Sequence, residues 1–199
     1  KLTYDDDNNV IRSEDANGNV TSYTYDTNGN MLTRTDPMGY TDYYTYELTN
    51  NNILTHTDKL GNQYSFSYDT NGNLTSLNGP MGSTEQFTYN NDGQLLTQTD
   101  ALGHTTTYTY DQQGNLISTT NPLGNSVTIQ YNYMGDMIAT LTPTGSRQQY
   151  VYDNMQRPTS MIDPLGSRIS LQYDSRGNAL TMTDPLGHQI HTTYDAIKI

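Results

Sequence analysis

The stretch YDQQGNLISTTNPLG, Tyr110 to Gly124, returns 63 residues later as YDSRGNALTMTDPLG, Tyr173 to Gly187. Each copy holds two turn signals, an Asp-x-x-Gly after the tyrosine and an Asn/Asp-Pro-Leu-Gly at the end. Both read as type I turns: the first residue accepts backbone amides, Pro presets φ at the second position, and Gly takes a positive φ at the fourth. The run between them is short, rich in Thr, and opens with an apolar residue. Turns therefore arrive every 10 or 11 residues and leave room for strands of about six or seven residues.

The same tyrosine marks the whole chain, at Tyr4, Tyr25, Tyr46, Tyr68, Tyr89, Tyr110, Tyr131, Tyr152, Tyr173 and Tyr194. The step is 21 residues with a single step of 22. A fixed period of this length is the signature of an array, in which each unit buries its apolar side against its neighbours. Asp or a near equivalent follows each tyrosine, from Asp5 to Asp195. Turn glycines recur with the same period, including Gly29, Gly39, Gly72, Gly103, Gly114, Gly124, Gly166, Gly177 and Gly187. Replacing Gly114 by Val is expected to disrupt its hairpin.

Between turns the pattern alternates. Two residues before the tyrosines stand Tyr23, Tyr44, Phe66, Phe87, Tyr108, Ile129, Tyr150 and Leu171, while Thr24, Thr45, Ser67, Thr88, Thr109, Gln130 and Gln172 fill the positions between. That is a strand with one apolar and one wet face. No segment has helical periodicity. Because side chains change face every residue, an odd repeat of 21 would flip the tyrosine at each pass without one register break per unit. One bulge, or two turns of unequal length, is expected in every unit, and either bends the sheet. The step of 22 falls in the turn Glu47 to Asn52, where a loop absorbs the extra residue. The turns at Thr142-Pro143-Thr144-Gly145 and Asp153 to Arg157 stray from the consensus and are expected to be the least regular.

The fold expected is all-β: an array of antiparallel β-hairpins of about 21 residues, forming a long curved strip wound as a spiral, solenoid or shell. It occupies residues 1–199 as about nine repeats without separate domains, and reads as a fragment of a longer protein. The tyrosine column is expected to face inward. Raw strand edges at both ends invite end-to-end self-association.

Composition limits the function. Only 32% of residues are hydrophobic, with 18 Tyr, two Phe and no Trp, so a thick aliphatic core is excluded. A net charge of −12 with nine Lys and Arg opposes binding to nucleic acid or to anionic membranes. No apolar run spans a bilayer. Cysteine is absent, so there is neither disulfide nor thiol chemistry. His104 and His188 follow a turn glycine at a position that varies freely in other copies. Neither a catalytic triad spacing nor a phosphate loop is present, and no catalytic, cofactor or metal residue is assigned. Asp5-Asp6-Asp7-Asn8-Asn9 is the best cation candidate by oxygen density, with turn capping the simpler reading. Tyr40, Tyr43, Tyr64 and Tyr133 lie outside the main columns and are the candidates for exposed contacts such as stacking on sugars.

The repeat, Tyr-Asp-x-x-Gly-Asn/Arg-Leu followed by Thr-Asp-x-x-Gly, resembles the RHS or YD-repeat proteins over essentially the whole chain. That family includes bacterial polymorphic toxins, shell-forming subunits of insecticidal toxin complexes, wall-associated proteins and teneurins. The resemblance implies a β-sheet strip spiralled into a hollow shell that, in the toxins, encloses a C-terminal toxic polypeptide of the parent chain, and a secreted or cell-surface setting. The self-cleaving core segment of toxin members is not found here, so none of its residues carries over. The rival class is an extracellular adhesion module binding glycans or a protein.

Overall fold

In a computed structural model, residues 1–194 are described; Asp195, last of the Tyr-Asp series, lies outside them. The described chain holds 19 strands and no α-helix. Two compact groups, Lys1–Thr105 and the residues from Thr106 onward, are treated one at a time.

The first group contains β1 (Leu2–Tyr4), β2 (Val10–Glu14), β3 (Val20–Tyr25), β4 (Met31–Thr35), β5 (Thr41–Tyr46), β6 (Ile53–Thr57), β7 (Gln63–Tyr68), β8 (Leu74–Asn78), β9 (Thr84–Tyr89) and β10 (Leu95–Thr99). Each strand pairs antiparallel with the next, so the group is a simple meander. The second group contains β11 (Thr105–Tyr110), which begins at the boundary, β12 (Leu116–Thr120), β13 (Ser126–Tyr131), β14 (Met137–Leu141), β15 (Arg147–Tyr152), β16 (Pro158–Ile162), β17 (Arg168–Tyr173), β18 (Ala179–Thr183) and β19 (Gln189–His191). It is a meander of the same kind.

Parity is restored by one register break per repeat, always at the tyrosine. In β3 and β4, Thr24 faces Thr33 but Tyr25 faces Met31, which leaves Leu32 as the extra residue. The same skip falls on Leu54, Leu96, Ile117, Ile138 and Leu180. Every other hairpin is in plain register, for example Thr33, Arg34 and Thr35 against Tyr43, Asp42 and Thr41. In these hairpins the apolar pair that opens the return strand is therefore the bulge itself, while in β8 and β16 the skipped residue is Thr75 and Thr159.

Turns repeat one hydrogen-bond scheme. In the turn after β3, Gly29 N donates to Asp26 O at 3.1 Å and Asp26 N to Asn30 O at 2.9 Å. The turns expected to be least regular keep the scheme. Gly145 N donates to Thr142 O at 3.0 Å, and the Thr142 hydroxyl takes the place of the carboxylate by accepting from Ser146 N at 3.1 Å. At Asp153 to Arg157 the fourth position is Gln156 with φ +60°, and Arg157 pairs with Asp153 at 2.6 Å. The longer turn at Glu47 absorbs its extra residue, with Asn51 at φ +57° and Asn52 Nδ2 donating to Glu47 Oε1 at 2.6 Å. A different departure is Pro80–Gly82, where Gly79 replaces the capping Asp and Met81 takes φ +60°.

No thick core forms: among the described residues only Ala139 and Ser160 are fully buried. Stabilisation comes from the tyrosine-bearing face and from cross-strand pairs on the other. Thr24–Thr33, Thr45–Thr55 and Thr88–Thr97 join hydroxyls at 2.6 Å. Such pairs contribute roughly 0.2–1 kcal/mol each.

Candidate functional site

The tyrosine column is where sequence period, bulge and packing meet. Within β3, Tyr23 and Tyr25 are half-buried while Ser22 and Thr24 are exposed, so the tyrosines share the drier face. Six of the column tyrosines latch the preceding repeat. Tyr25 Oη donates to Val10 O at 2.9 Å, Tyr46 to Met31 O at 2.8 Å, and Tyr68 to Ile53 O at 3.0 Å. In the second group Tyr131, Tyr152 and Tyr173 reach Leu116 O, Met137 O and Pro158 O at 3.0, 3.0 and 2.7 Å. The acceptor is in every case the residue that faces the previous tyrosine at its bulge. A bulge disrupts the ladder locally, and the phenol supplies a donor there.

Burial raises the phenol pKa of Tyr25, Tyr46, Tyr68, Tyr89 and Tyr152 above 10.0, which keeps the donor protonated. Tyr89 and Tyr110 are also half-buried. Tyr4 and Tyr194, at the ends of the described array, are half exposed. Removing one hydroxyl, as in Tyr68→Phe, leaves the ring in place and strands a carbonyl. A loss of about 1 kcal/mol is expected, read by chemical denaturation, with faster amide exchange confined to β6 through β8.

The turn glycines Gly29, Gly39, Gly72, Gly103, Gly114, Gly124, Gly166, Gly177 and Gly187 have φ between +80° and +91°. The turn carboxylates are engaged by their own turns, as Asp26 shows. Asp26 Oδ1 accepts from Asn28 N and Asn30 N at 2.9 and 2.8 Å, and Oδ2 from Asn30 Nδ2 at 2.9 Å. The Asn30 side chain first, then its backbone amide, hold the Asp26 pKa below 3.8. Asp5 is a cap of the same kind, accepting from Asp7 N, Asn9 N and Asn9 Nδ2. His104 and His188 bond to Asp100 and Asp184 of their own turns at 3.0 and 2.8 Å. No cluster of His, Cys, Asp and Glu able to hold a metal occurs among the described residues.

Two features go beyond the repeat. His56 lies between Tyr44 and Tyr64, with ring centroids 4.6 and 5.7 Å away and planes 4° and 16° apart. Tyr64 is thus half-buried in a stack, not an exposed contact as the sequence implied. His56 Nε2 is buried without a hydrogen bond, with Asp42 Oδ1 at 3.6 Å, and Arg34 approaches Asp42 Oδ2 at 3.3 Å. Register explains the stack: His56 faces Tyr44 on one side and Tyr64 on the other. The second feature is a depression of about 820 Å³ bordered by Ile117, Ile129, Tyr131, Tyr133 and Met134. Tyr133 stands on its rim, 97% exposed, and Tyr40 and Tyr43 are also exposed.

The RHS Repeat family model matches residues 4–47, 48–84 and 89–126, more than half of the chain. The chain belongs to the RHS repeat family. Beyond residue 126 the RHS geometry continues, with the same tyrosine bulges in β13, β15 and β17. The sequence has no significant match among curated proteins. Solved structures of similar fold include a crystal structure of TcdB2-TccC3-TEV, at 17% identity and TM-score 0.71, covering 92% of this chain and 11% of that one. A crystal structure of TcdB2-TccC3 is similar at 18% identity and TM-score 0.69, covering 96% and 13%. The Photorhabdus luminescens Tc holotoxin pore is similar at 16% identity and TM-score 0.51, covering 92% and 12%. Identity this low is a likeness of fold alone, and the chain spans little more than a tenth of the chains it matches.

Proposed function

We propose that this RHS array is a structural wall segment of a hollow β-sheet shell, which confines a toxin or effector polypeptide of the parent protein until release. The tyrosine face is the lining and the threonine face the outside. The tyrosine latch supports this most: in six repeats a hydroxyl ties the strand to the repeat before it on a single face, and is spent on backbone and not on a ligand. The near absence of fully buried residues fits a wall one sheet thick. The turn carboxylates are taken up by the amides of their own turns, a structural use and not an acid–base one. A delivered or cell-surface protein is the corresponding setting. Among the described residues no helix is long and apolar enough to cross a membrane. An adhesion module is favoured only by the exposed Tyr133 beside its depression.

This chain has no cysteine, so in an intact parent freed of any other cysteine, single thiols placed in it report on each face. Met182 faces Leu171 on the tyrosine side, and Gln172 lies on the other. With Met182→Cys, a small maleimide is expected to react while a polymer-linked maleimide is excluded; with Gln172→Cys both react. Equal labelling of Met182→Cys by both reagents in the native parent contradicts enclosure.

A further inference from the structure

The two turn edges of the first group differ in chemistry. On the edge that follows even-numbered strands, the third turn positions after the first turn are Met38, Leu60, Met81 and Leu102. Their exposures are 79, 77, 104 and 80%. On the opposite edge the corresponding positions in regular turns are Asp7, Asn28, Asn71 and Asp92, and Leu48 is the sole exposed large aliphatic residue there. Turn formation does not require an aliphatic side chain at this position, since Asn28 and Asn71 serve the same turn scheme. Nor do the neighbouring acids offset it. Asp58 Oδ1 is taken by Leu60 N and Asn62 N, Asp100 Oδ1 by Leu102 N and His104 N, and Asp36 Oδ2 by Lys59. What remains at the rim is a row of unpartnered aliphatic groups, the kind of surface that marks an interaction site.

We propose that Met38, Leu60, Met81 and Leu102 form a docking edge for a second row of the same turns, supplied for this chain by a second copy related by a two-fold axis. Spacing identifies the partner. Turns on one edge are two strands apart, about 10 Å, so the side chains stand in a comb with gaps about one side chain wide. Only a surface with the same period fills those gaps along its whole length, and a two-fold contact of identical combs is self-complementary. Four teeth span about 30 Å. With a sheet edge about 10 Å thick, the pair removes about 600 Å² from water before corrugation, below the about 1,000 Å² of a stable interface. Association of separate copies is therefore weak and reversible. The proposal stands independently of enclosure, because it concerns an edge and not a face.

The test uses the cysteine-free chain carrying one thiol at a time. Under mild oxidation Leu60→Cys is expected to give disulfide dimers several-fold faster than Asn71→Cys on the opposite edge. Sedimentation is expected to show a reversible monomer–dimer equilibrium that vanishes when Met38, Leu60, Met81 and Leu102 are all replaced by Glu, with circular dichroism and melting unchanged. Equal crosslinking at the two positions overturns the proposal. So does a dimer that persists in the Glu variant, which would place association at the raw strand edges instead.

Discussion

Gly114→Val is expected to lower stability by about 1–3 kcal/mol, because a β-branched residue is forced to the φ of +86° that Gly114 adopts. In a chain of this length that corresponds to a fall in melting temperature of about 2–4 °C per kcal/mol. Repeats interact mainly with their neighbours, so the damage is expected to stay local, with faster amide exchange in β12 and little change in β1 to β6. The reciprocal substitution supplies the control. Gln156 already occupies this backbone position at φ +60°, and Gln156→Gly is expected to stabilise by up to about 1 kcal/mol. If Gly114→Val melts like the parent while keeping the fold, the positive φ carries no cost and the turn account fails.

Acid is expected to unfold the array. Eleven turn aspartates have pKa values held below the ordinary 3.8, most of them first by the side chain four residues on and by backbone amides of the turn. Asp100 differs in that the His104 backbone amide leads, and Asp36 in that opposing desolvation is its largest influence. A carboxylate with a depressed folded pKa binds protons more readily unfolded. Its contribution is fully present above the unfolded value and is lost as pH falls through the folded value. Most of these groups are partly exposed and the effect of each is modest, but the effects share a sign and a pH window. Thermal midpoints are expected to be flat from neutral pH to about pH 5 and to fall steeply below about pH 4. A midpoint unchanged down to about pH 3 would mean that the carboxylates are passive decoration of the turns.

Much of the hairpin array was legible in the sequence because its determinants are local. Alternation across Tyr23, Thr24 and Tyr25 gave the faces, Asp-Pro-x-Gly gave the turns, and the odd period demanded a register break. The break proved to be a bulge at the apolar pair, so Leu32 and Ile117 are there to be skipped as well as to be buried. Less accessible was the tyrosine latch. Its acceptor lies 15 residues upstream, as for Tyr46 Oη and Met31 O, a distance set by strand pairing that alternation does not encode. The His56 stack was missed for a related reason: Tyr44, His56 and Tyr64 become neighbours only through two successive registers. The irregular turns were misjudged because consensus stood in for mechanism. Thr142 supplies an acceptor oxygen, and Gln156 tolerates positive φ at a cost. The exposed row from Met38 to Leu102 was present in the Asp-Pro-x-Gly motif all along, but only burial separates a side chain that packs from one that projects.

Enclosure is the central claim, and limited proteolysis of the intact parent protein, followed by native mass spectrometry of what stays together, tests it most directly. The shell account predicts a polypeptide beyond the repeats that is protected from protease and remains associated with them even after the linking chain is cut. Free digestion of everything beyond the repeats, with the array itself left intact, would contradict it.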